Sequence, residues 1–412
     1  YSRFDEERVA RASQLPVISE IELLNDSDVS DAVILAQISQ PLNEQLNKDA
    51  LDEDLRSVLG IGAFSAVDFN IRDEGDTSVL ELHAKENAAG NRFCRFGITL
   101  QDDLEGNSAY TGSASMTWTN LNSYGGEWRN VFRVGEQQQV STEFYQPLVK
   151  SGRYFLSLNG DYTERNVNAF LDGDIIGQSR VEQLTGTISA GRTFGNSGQL
   201  SIGMIRGQGS TKSNIGSDLP SGDFDVGGYV AAAAYDTYDN VHFPKAGTTA
   251  VASWLGQRES VGATFDVDVV SGRFGTAKTW DNTTFLVGAT VQSQLNEAPG
   301  AQNLVTTGGL FNLSGFQQDE LSGRHTIVGR AILFRQLRSN PLRGFLNASL
   351  YVGGSFEVGN AWNDSDDVSF SNSLTAGSLF VGADTFIGPV YLAGGLAEGG
   401  NSALYLYVGR PF

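Results

Sequence analysis

Residues able to do chemistry are few in this chain, and they are scattered. The three histidines, His83, His242 and His325, fall in unrelated segments. "GNSGQ" at Gly195 misses the G-x-S-x-G spacing that lifts a serine onto a strained turn as a nucleophile, and reads as a turn. "RGQGSTKS", with Lys212 and Ser213, lacks the spacing of a phosphate-cradling loop and reads as the start of a long exposed loop. Asp364, Asp366 and Asp367 have the oxygen ligands a divalent cation wants, but a solvated loop tip is the commoner meaning of such a run. Cys94 is the only cysteine, so no internal disulfide forms. No catalytic residue, metal or cofactor is expected.

Composition narrows the partners. A net charge of -20, from 28 basic and 48 acidic residues, argues against nucleic acid, whose phosphates demand a basic footprint. No apolar run approaches the roughly 18 residues of a spanning helix; "YVAAAAY" at Tyr229–Tyr235 is the longest comparable stretch. That excludes a helical membrane protein and leaves a barrel open, because lipid-facing and lumen-facing residues alternate along a barrel strand. The chain opens at Tyr1 without a charged-then-apolar leader, as expected of a mature fragment that lacks something N-terminal.

What must position any functional residue is a long series of alternating strands. The last segment is typical: Leu404, Leu406, Val408, Arg410 and Phe412 share one face, while Ala403, Tyr405, Tyr407 and Gly409 share the other. In "FLNASLYVGGSFEVG" the alternation runs from Leu346 to Val358, longer than a soluble strand of about 5–6 residues and suited to a tilted membrane strand. Sixteen such segments can be counted from Arg92 to Phe412, the even number a closed antiparallel bacterial barrel requires. Short connectors ("NSYGG", "KSG", "GNSG", "RSNP", "FIGP") and long ones ("GSTKSNIGSDLPSGD", residues 296–323, "NAWNDSDDVSFSNS") point to tight turns on one rim and long loops on the other. A soluble β-sandwich or β-solenoid explains neither the strand length nor the sorted loops.

The first 88 residues follow another rhythm. Residues 1–16 read as a helical linker, capped by Ser2 with Asp5 and stopped by Pro16. Phe4, Arg8, Ala12 and Leu15 make a stripe too thin for a coiled coil, compatible with at most a weak homodimer. From residue 17 the order is a strand ("VISEIELLND"), helix over Ser30–Leu46 broken at Pro41, a second helix ending at Gly60, then two strands. The fold class is therefore mainly β: a 16-stranded transmembrane antiparallel barrel over 89–412, preceded by a small β-α-α-β-β domain over 17–88.

Three barrel stretches stand out. In "HFPKAGT", Pro244 and Gly247 shape a turn before a strand. "GGLFNLSGF", with Ser314, Gly315 and Phe316, lies in the longest loop. "GGSFEVGNAW" places Glu357 on the lumen face two residues before Gly359, where a charge needs water or a partner. Arg330 falls on a strand expected to flank the same site.

On these residues the chain resembles the BamA-like superfamily of outer-membrane insertases and secretion transporters, from about residue 17 to the end. The β-α-α-β-β unit resembles a POTRA domain, with Gly62, Phe64 and Val67 before its second strand. "HFPKAGT" is similar to the family's Pro-x-x-Gly turn. "LSGF" sits where the family carries Arg-Gly-Phe or Arg-Gly-Tyr at the tip of an extracellular loop that folds into the lumen. Ser314 replaces the arginine, so ionic anchoring of that tip is not implied. "FEVGNAW" resembles the strand-thirteen motif, with Glu357 where aspartate is common. Leu404, Leu406, Val408 and Phe412 resemble the terminal signal read by the barrel-assembly machinery, with Arg410 and Pro411 unusual for it.

A single POTRA-like unit, with "GGLFNLSGF" and "DELSGRH", most resembles the C-terminal half of patatin-like autosecreted proteins (PlpD-like, type Vd secretion). The resemblance implies export of the chain's own N-terminal passenger, a patatin-like lipase, across the bacterial outer membrane, with the POTRA-like domain in the periplasm. It implies contacts with outer-membrane lipid and lipopolysaccharide, periplasmic chaperones and the assembly machinery. The alternatives are an insertase or two-partner secretion transporter, and a passive porin with an accessory domain.

Overall fold

The computed structural model describes residues 15–412 apart from 76, 88–89, 103–107, 172–173, 216–220, 338–347, 386–387 and 410–412. Most of the expected N-terminal helix and the terminal Phe412, with Arg410 and Pro411, therefore lie outside the described residues.

The N-terminal unit is a four-stranded sheet carrying two helices. Its elements are β1 (Val17–Asn25), α1 (Asp31–Leu35), β2 (Glu44–Gln45), α2 (Lys48–Gly60), β3 (Phe64–Glu74) and β4 (Thr77–Glu86). The sheet order is β2-β1-β4-β3, with β1 parallel to β4. The Asn47 side chain caps α2 by accepting from the Ala50 N–H. Leu51, Leu55 and Val58 turn the buried stripe of α2 onto the sheet, the two leucines meeting Ile18, Leu80 and Leu82 and Val58 meeting Val33, Ile34 and Ala84. Gly75 closes the β3–β4 hairpin at φ 81°.

The helix expected over Ser30–Leu46 is mostly not a helix. Only Asp31–Leu35 is helical, and the chain ends in the short strand β2, so the order is β-α-β-α-β-β. Local hydrogen bonds explain this. The Asp54 carboxylate takes both the Ser39 N–H and its hydroxyl, at 2.7 and 3.0 Å. Asn43 turns left-handed at φ 64°, and its N–H reaches the Ile18 carbonyl. The segment is thereby laid back along β1.

Sixteen strands close into an antiparallel barrel. In chain order the first eight are β5 (Arg92–Asp102), β6 (Ser108–Trp118), β7 (Glu127–Gly135), β8 (Gln138–Pro147), β9 (Tyr154–Leu171), β10 (Asp174–Phe194), β11 (Gly198–Ile215) and β12 (Gly222–Asp236). Then come β13 (Ala246–Gln257), β14 (Val267–Trp280) and β15 (Thr283–Gln294). Two three-residue strands, β16 (Val305–Thr307) and β17 (Leu321–Gly323), pair with each other outside the barrel sheet. The wall resumes with β18 (His325–Gln336), β19 (Ser349–Trp362), β20 (Leu374–Thr385), β21 (Gly388–Ala397) and β22 (Ser402–Gly409), and β22 pairs with β5.

The two faces of the wall differ as the alternation requires. On β19 Phe356 is 59% exposed and its neighbour Glu357 is fully buried; on β22 Leu404 is exposed and Tyr405 is not. Outward side chains such as Phe96, Ile202, Leu379 and Leu396 would form an apolar patch far beyond what water tolerates. That outer wall is what a closed barrel offers to lipid, and closure leaves no unpaired strand edge.

Two expectations about connectors fail. "RGQGSTKS" is strand, not loop: β11 continues to Ile215, paired with β10 and β12. Gly207 and Gly209 permit this, because a Cβ on either would strike carbonyl oxygens of β10 at 2.2 and 2.5 Å. Sorting by length is also incomplete. The rim that carries the N-terminal unit, marked by the Ser57–Asn196 hydrogen bond, includes residues 237–245, while the opposite rim includes the two-residue turn 136–137. Connector 237–245 is not a free loop, since it packs into the lumen; the expected short turn "RSNP" lies outside the described residues.

Candidate functional site

Residues 295–324, between β15 and β18, enter the lumen rather than standing in solvent. β16 and β17 form the stem, fastened to the wall by Gln292 Nε2 donating to the Thr306 carbonyl at 2.9 Å. The tip bends sharply. Gly308, Gly309 and Gly315 take positive φ, and so do Phe311 (63°) and Leu313 (76°), a conformation that costs an L-residue on the order of 1–3 kcal/mol. Contacts around the tip hold that strain.

The main contact is Glu357. Its carboxylate accepts from the Leu313 N–H at 2.8 Å, the Ser314 N–H at 2.5 Å and the Ser314 hydroxyl at 2.8 Å. Ser355 Oγ supplies a fourth donor at 2.5 Å. Ser314 Oγ also accepts from the Phe311 N–H, locking the tip turn. Leu313, Ser314 and Glu357 are all fully buried. The tip is therefore not loose: its anchor is a carboxylate that accepts main-chain N–H groups and the Ser314 hydroxyl, and hydrogen bonds to a charged acceptor are the strong ones.

Tyr405 grips the same turn from β22. Its hydroxyl accepts from the Gly315 N–H at 2.8 Å and donates to the Phe316 carbonyl at 2.6 Å. Gly315 has φ 117°, and a Cβ there would lie 2.7 Å from the Ala397 nitrogen. Gly395 opposite has the same restriction from Ser314 and Gly315. Phe316 is buried with Leu313, Val328 and Ala376, so its ring rests on β18 and β20. Arg330, the register partner of Glu357, donates to the Phe311 carbonyl at 3.1 Å.

Beyond the tip the loop crosses the lumen. Gln318 N–H donates to Gln101 of β5 at 2.7 Å, Asp319 bonds Gln137, and Arg165 of β9 donates to the carbonyls of Gln302 and Leu304.

The other rim sends in a second plug. In the turn 237–245 the Asn240 side chain accepts from the N–H groups of His242 and Phe243, and Asp239 accepts from those of Lys245 and Ala246. Gly247 is at φ 104°, because a Cβ would lie 2.1 Å from the Thr237 carbonyl. Pro244 is buried, and the turn drives Phe243 into the lumen, where it stacks on Tyr351 and Tyr391 at 4.1 and 4.8 Å. Tyr391 also packs edge-on against Phe311 of the loop. Segments from opposite rims thus share one aromatic cluster on the inner wall of β18–β22.

The expected site residues Ser314, Gly315, Phe316, Arg330 and Glu357 are brought together, with Pro244 and Gly247 at the second plug. Gly359 stands apart on β19, where a Cβ would lie 2.0 Å from the Ile327 carbonyl; it serves strand approach. Leu404, Leu406 and Val408 sit on the outer face of β22, away from the tip. Sequence reasoning missed Tyr405, Phe243 and Phe311. Tyr405 was legible as a lumen-side aromatic of the last strand, but nothing local names its partner. Asp364 is taken by Arg324 at 3.1 Å, and no acidic group with metal-binding geometry occurs among the described residues. Ser293 and His325 lie 2.7 Å apart, without a carboxylate bonded to the ring among the described residues.

No family model and no curated protein matches the chain. Solved structures do. BamA from Haemophilus ducreyi lacking POTRA domains 1-3 aligns at a TM-score of 0.64 and 12% identity, over 96% of this chain and 85% of that one. CdiB from Acinetobacter baumannii aligns at 0.65 and 11%, over 96% and 74%. CdiB from Escherichia coli gives 0.63 and 12%, over 96% and 77%. At such identities the likeness is one of fold: a small N-terminal unit followed by a 16-stranded barrel.

Proposed function

We propose that this chain is an outer-membrane translocator of the BamA-like kind, moving a polypeptide outward without chemistry of its own. The observation that carries the reading is the seating of the inward loop on buried Glu357. A passive porin keeps its lumen open, whereas here a loop from one rim and a turn from the other meet inside, hydrogen-bonded to the wall. A plug held by a few hydrogen bonds suits a channel that opens for a substrate.

The N-terminal α+β unit is then a POTRA-like domain in the periplasm, offering a sheet edge to an unfolded segment by strand addition. β3 is the outer strand of that sheet, paired only with β4 in the sheet order. On the motif resemblance, the passenger is the chain's own N-terminal extension, a patatin-like lipase. Likeness of fold to BamA and CdiB is equally compatible with an insertase or a two-partner transporter, which stay as the alternatives.

The test uses two readouts in cells. An epitope-tagged passenger joined ahead of Tyr1 should become accessible to surface protease. Assembly of an unrelated outer-membrane barrel should not depend on this chain. An internal passenger together with dependent barrel assembly would replace export by the insertase reading.

A further inference from the structure

We propose that residues 315–318 of the inward loop latch the seam between β22 and β5, so that the wall parts there only when the loop leaves its seat. The use of such a latch rests on the translocator reading above; the latch itself rests on geometry. Tyr405 of β22 and Gln101 of β5 are register partners across the seam, and both are buried on the lumen side. The loop is bonded to each of them. The Tyr405 hydroxyl takes the Gly315 N–H at 2.8 Å and donates to the Phe316 carbonyl at 2.6 Å. Two residues on, the Gln318 N–H donates to Gln101 Oε1 at 2.7 Å, and Gln101 Nε2 reaches Gln318 Oε1 at 3.5 Å. One short stretch of loop thus crosses from one strand of the seam to the other.

The bridge is stiff. The Phe316 N–H bonds the Leu313 carbonyl, the Glu320 carboxylate accepts the Gln317 N–H at 2.6 Å, and the Glu320 N–H returns to the Gln317 carbonyl. Gly315 is confined by β21, since a Cβ there would stand within 2.9 Å of Leu396 and Ala397. Ser314, next to the latch, is fixed to Glu357 of β19 by two hydrogen bonds. A braced segment held at both ends does not follow two strands as they separate. A hydrogen bond is lost once donor and acceptor stand beyond about 3.5 Å, so widening the seam by roughly 1 Å at this rung breaks the hold on one side.

This is the joint of the wall with the fewest pairs. Among the described residues six register pairs join β22 to β5, against eleven between β5 and β6 and seven between β21 and β22. The latch holds the second pair from the end farther from the N-terminal unit. Parted strand edges in lipid leave costly unpaired backbone groups, and the loop adds bonds on both sides of that line. Coupling of this kind is reciprocal: what unseats the loop loosens the seam, and what locks the seam steadies the loop. A polypeptide that displaces the tip therefore frees the seam in the same step.

Hydrogen–deuterium exchange of the purified full chain in mild detergent tests this. Exchange of the seam amides, residues 97–102 and 404–409, should rise at least fivefold in Gln101→Leu and in Glu357→Gln, which lies off the seam. Amides of β7 and β8, joined by seven register pairs, should exchange as in the wild type. Thr99→Val, on the next lumen-facing rung of the seam, should leave both sets unchanged. Heat-modifiable gel mobility establishes that each variant is folded. In the reverse direction, a disulfide from Leu100→Cys with Leu406→Cys, in a Cys94→Ser background, should slow protease cleavage of the loop in Glu357→Gln at least threefold, with recovery on reduction. Wild-type seam exchange in Gln101→Leu, or in a Glu357→Gln barrel whose loop is cut, overturns the latch. Faster exchange that extends to β7 and β8 overturns it too, since it would mark a loosened barrel. None of these readouts depends on export, so a missing latch leaves the translocator reading standing. A working latch in a chain whose passenger never reaches the surface removes that reading and keeps the latch.

Discussion

Glu357 and Ser314, both fully buried, are joined by two hydrogen bonds, from the Ser314 N–H at 2.5 Å and its hydroxyl at 2.8 Å. A carboxylate with no access to water is costly unless its lone pairs are satisfied. Here four donors satisfy it, three of them from the loop tip and one from its own strand. The loop needs the glutamate to hold its strained turn, and the buried glutamate needs the loop. Each therefore stabilises the other's buried position.

Replacing Glu357 with glutamine should release the tip. An amide keeps the size but turns one acceptor into a donor that faces N–H groups, leaving buried donors unmatched at about 1–3 kcal/mol each. We expect the barrel to assemble and resist heat while single-channel conductance rises and residues 308–317 become open to protease. Glu357→Asp should lie between, since it keeps the charge one methylene short. Wild-type conductance from Glu357→Gln would show that the carboxylate does not hold the plug.

Phe243 and Phe311 enter from opposite rims and both pack on Tyr391. Truncating buried Phe243 should cost about 3–5 kcal/mol locally, and truncating Phe311, which is partly buried, should cost less. Because they share Tyr391, the two effects should fall short of additivity by about 0.5–3 kcal/mol. A double-mutant cycle read from thermal loss of heat-modifiable mobility checks this. Strict additivity would mean that the two plugs are energetically independent.

Much of this was legible in the sequence. A period of two from Arg92 onward yields strands and their faces, because lipid on one side and lumen on the other leave a clear pattern along "FLNASLYVGGSFEVG". The loop tip was legible as a motif around Gly315 and Phe316. What could not be read was how the tip is held: Glu357 lies 43 residues from Ser314 and Tyr405 lies 90 from Gly315. Such pairs follow from barrel closure, not from local spacing. The failed helix over Ser30–Leu46 has a similar origin, since a partner at Asp54 overrode local propensity.

Acid should loosen the exposed face of the N-terminal sheet. Arg72 on β3 bonds Glu22 on β1 at 2.7 Å and also reaches Glu81 on β4. Its hydrogen bond, with a smaller charge effect, holds the Glu22 carboxyl below the usual carboxylate range. A depressed folded pKa contributes stability that is present above the unfolded value and lost as pH falls through the folded one. Carbon-13 NMR of the Glu22 carboxyl should show titration below that of an unpaired glutamate, and Arg72→Met should bring it back up. Surface pairs of this type contribute little, so the overall melting temperature should barely move.

The seam between β22 and β5 has six register pairs, Leu404–Asp102 to Gly409–Gly97, the fewest of any barrel pairing among the described residues. Adjacent antiparallel pairs alternate between wide and narrow spacing, so either Leu406 with Leu100 or Tyr407 with Thr99 is the narrow one. With Cys94→Ser removing the exposed native thiol, cysteines at one of these pairs should form a disulfide, within the Cα separation such a bond requires. Absence of a crosslink at both would undo the sixteen-strand closure. Export by the locked barrel then reports the route: loss of export points to an opening seam, and normal export to the lumen.

The loop tip offers the sharpest separation between a seated plug and an ordinary surface loop. Gly315 has two requirements that no other residue meets: φ of 117°, and room where a Cβ would stand 2.9 Å from the Ala397 Cβ and closer still to its nitrogen. Gly315→Val should therefore unseat the tip outright. Phe316→Ala keeps the backbone and removes only the ring packed on Leu313, Val328 and Ala376, a loss of about 3–5 kcal/mol for a buried phenylalanine. Hydrogen bonds from Leu313 and Ser314 to Glu357 remain in that variant, so the tip should be weakened and not lost. We expect Gly315→Val to abolish export and Phe316→Ala to reduce it severalfold, with both barrels still assembled and heat-modifiable. A loop standing in water would tolerate either change. Normal export from both variants would overturn the inward loop as a working part of the proposed translocator.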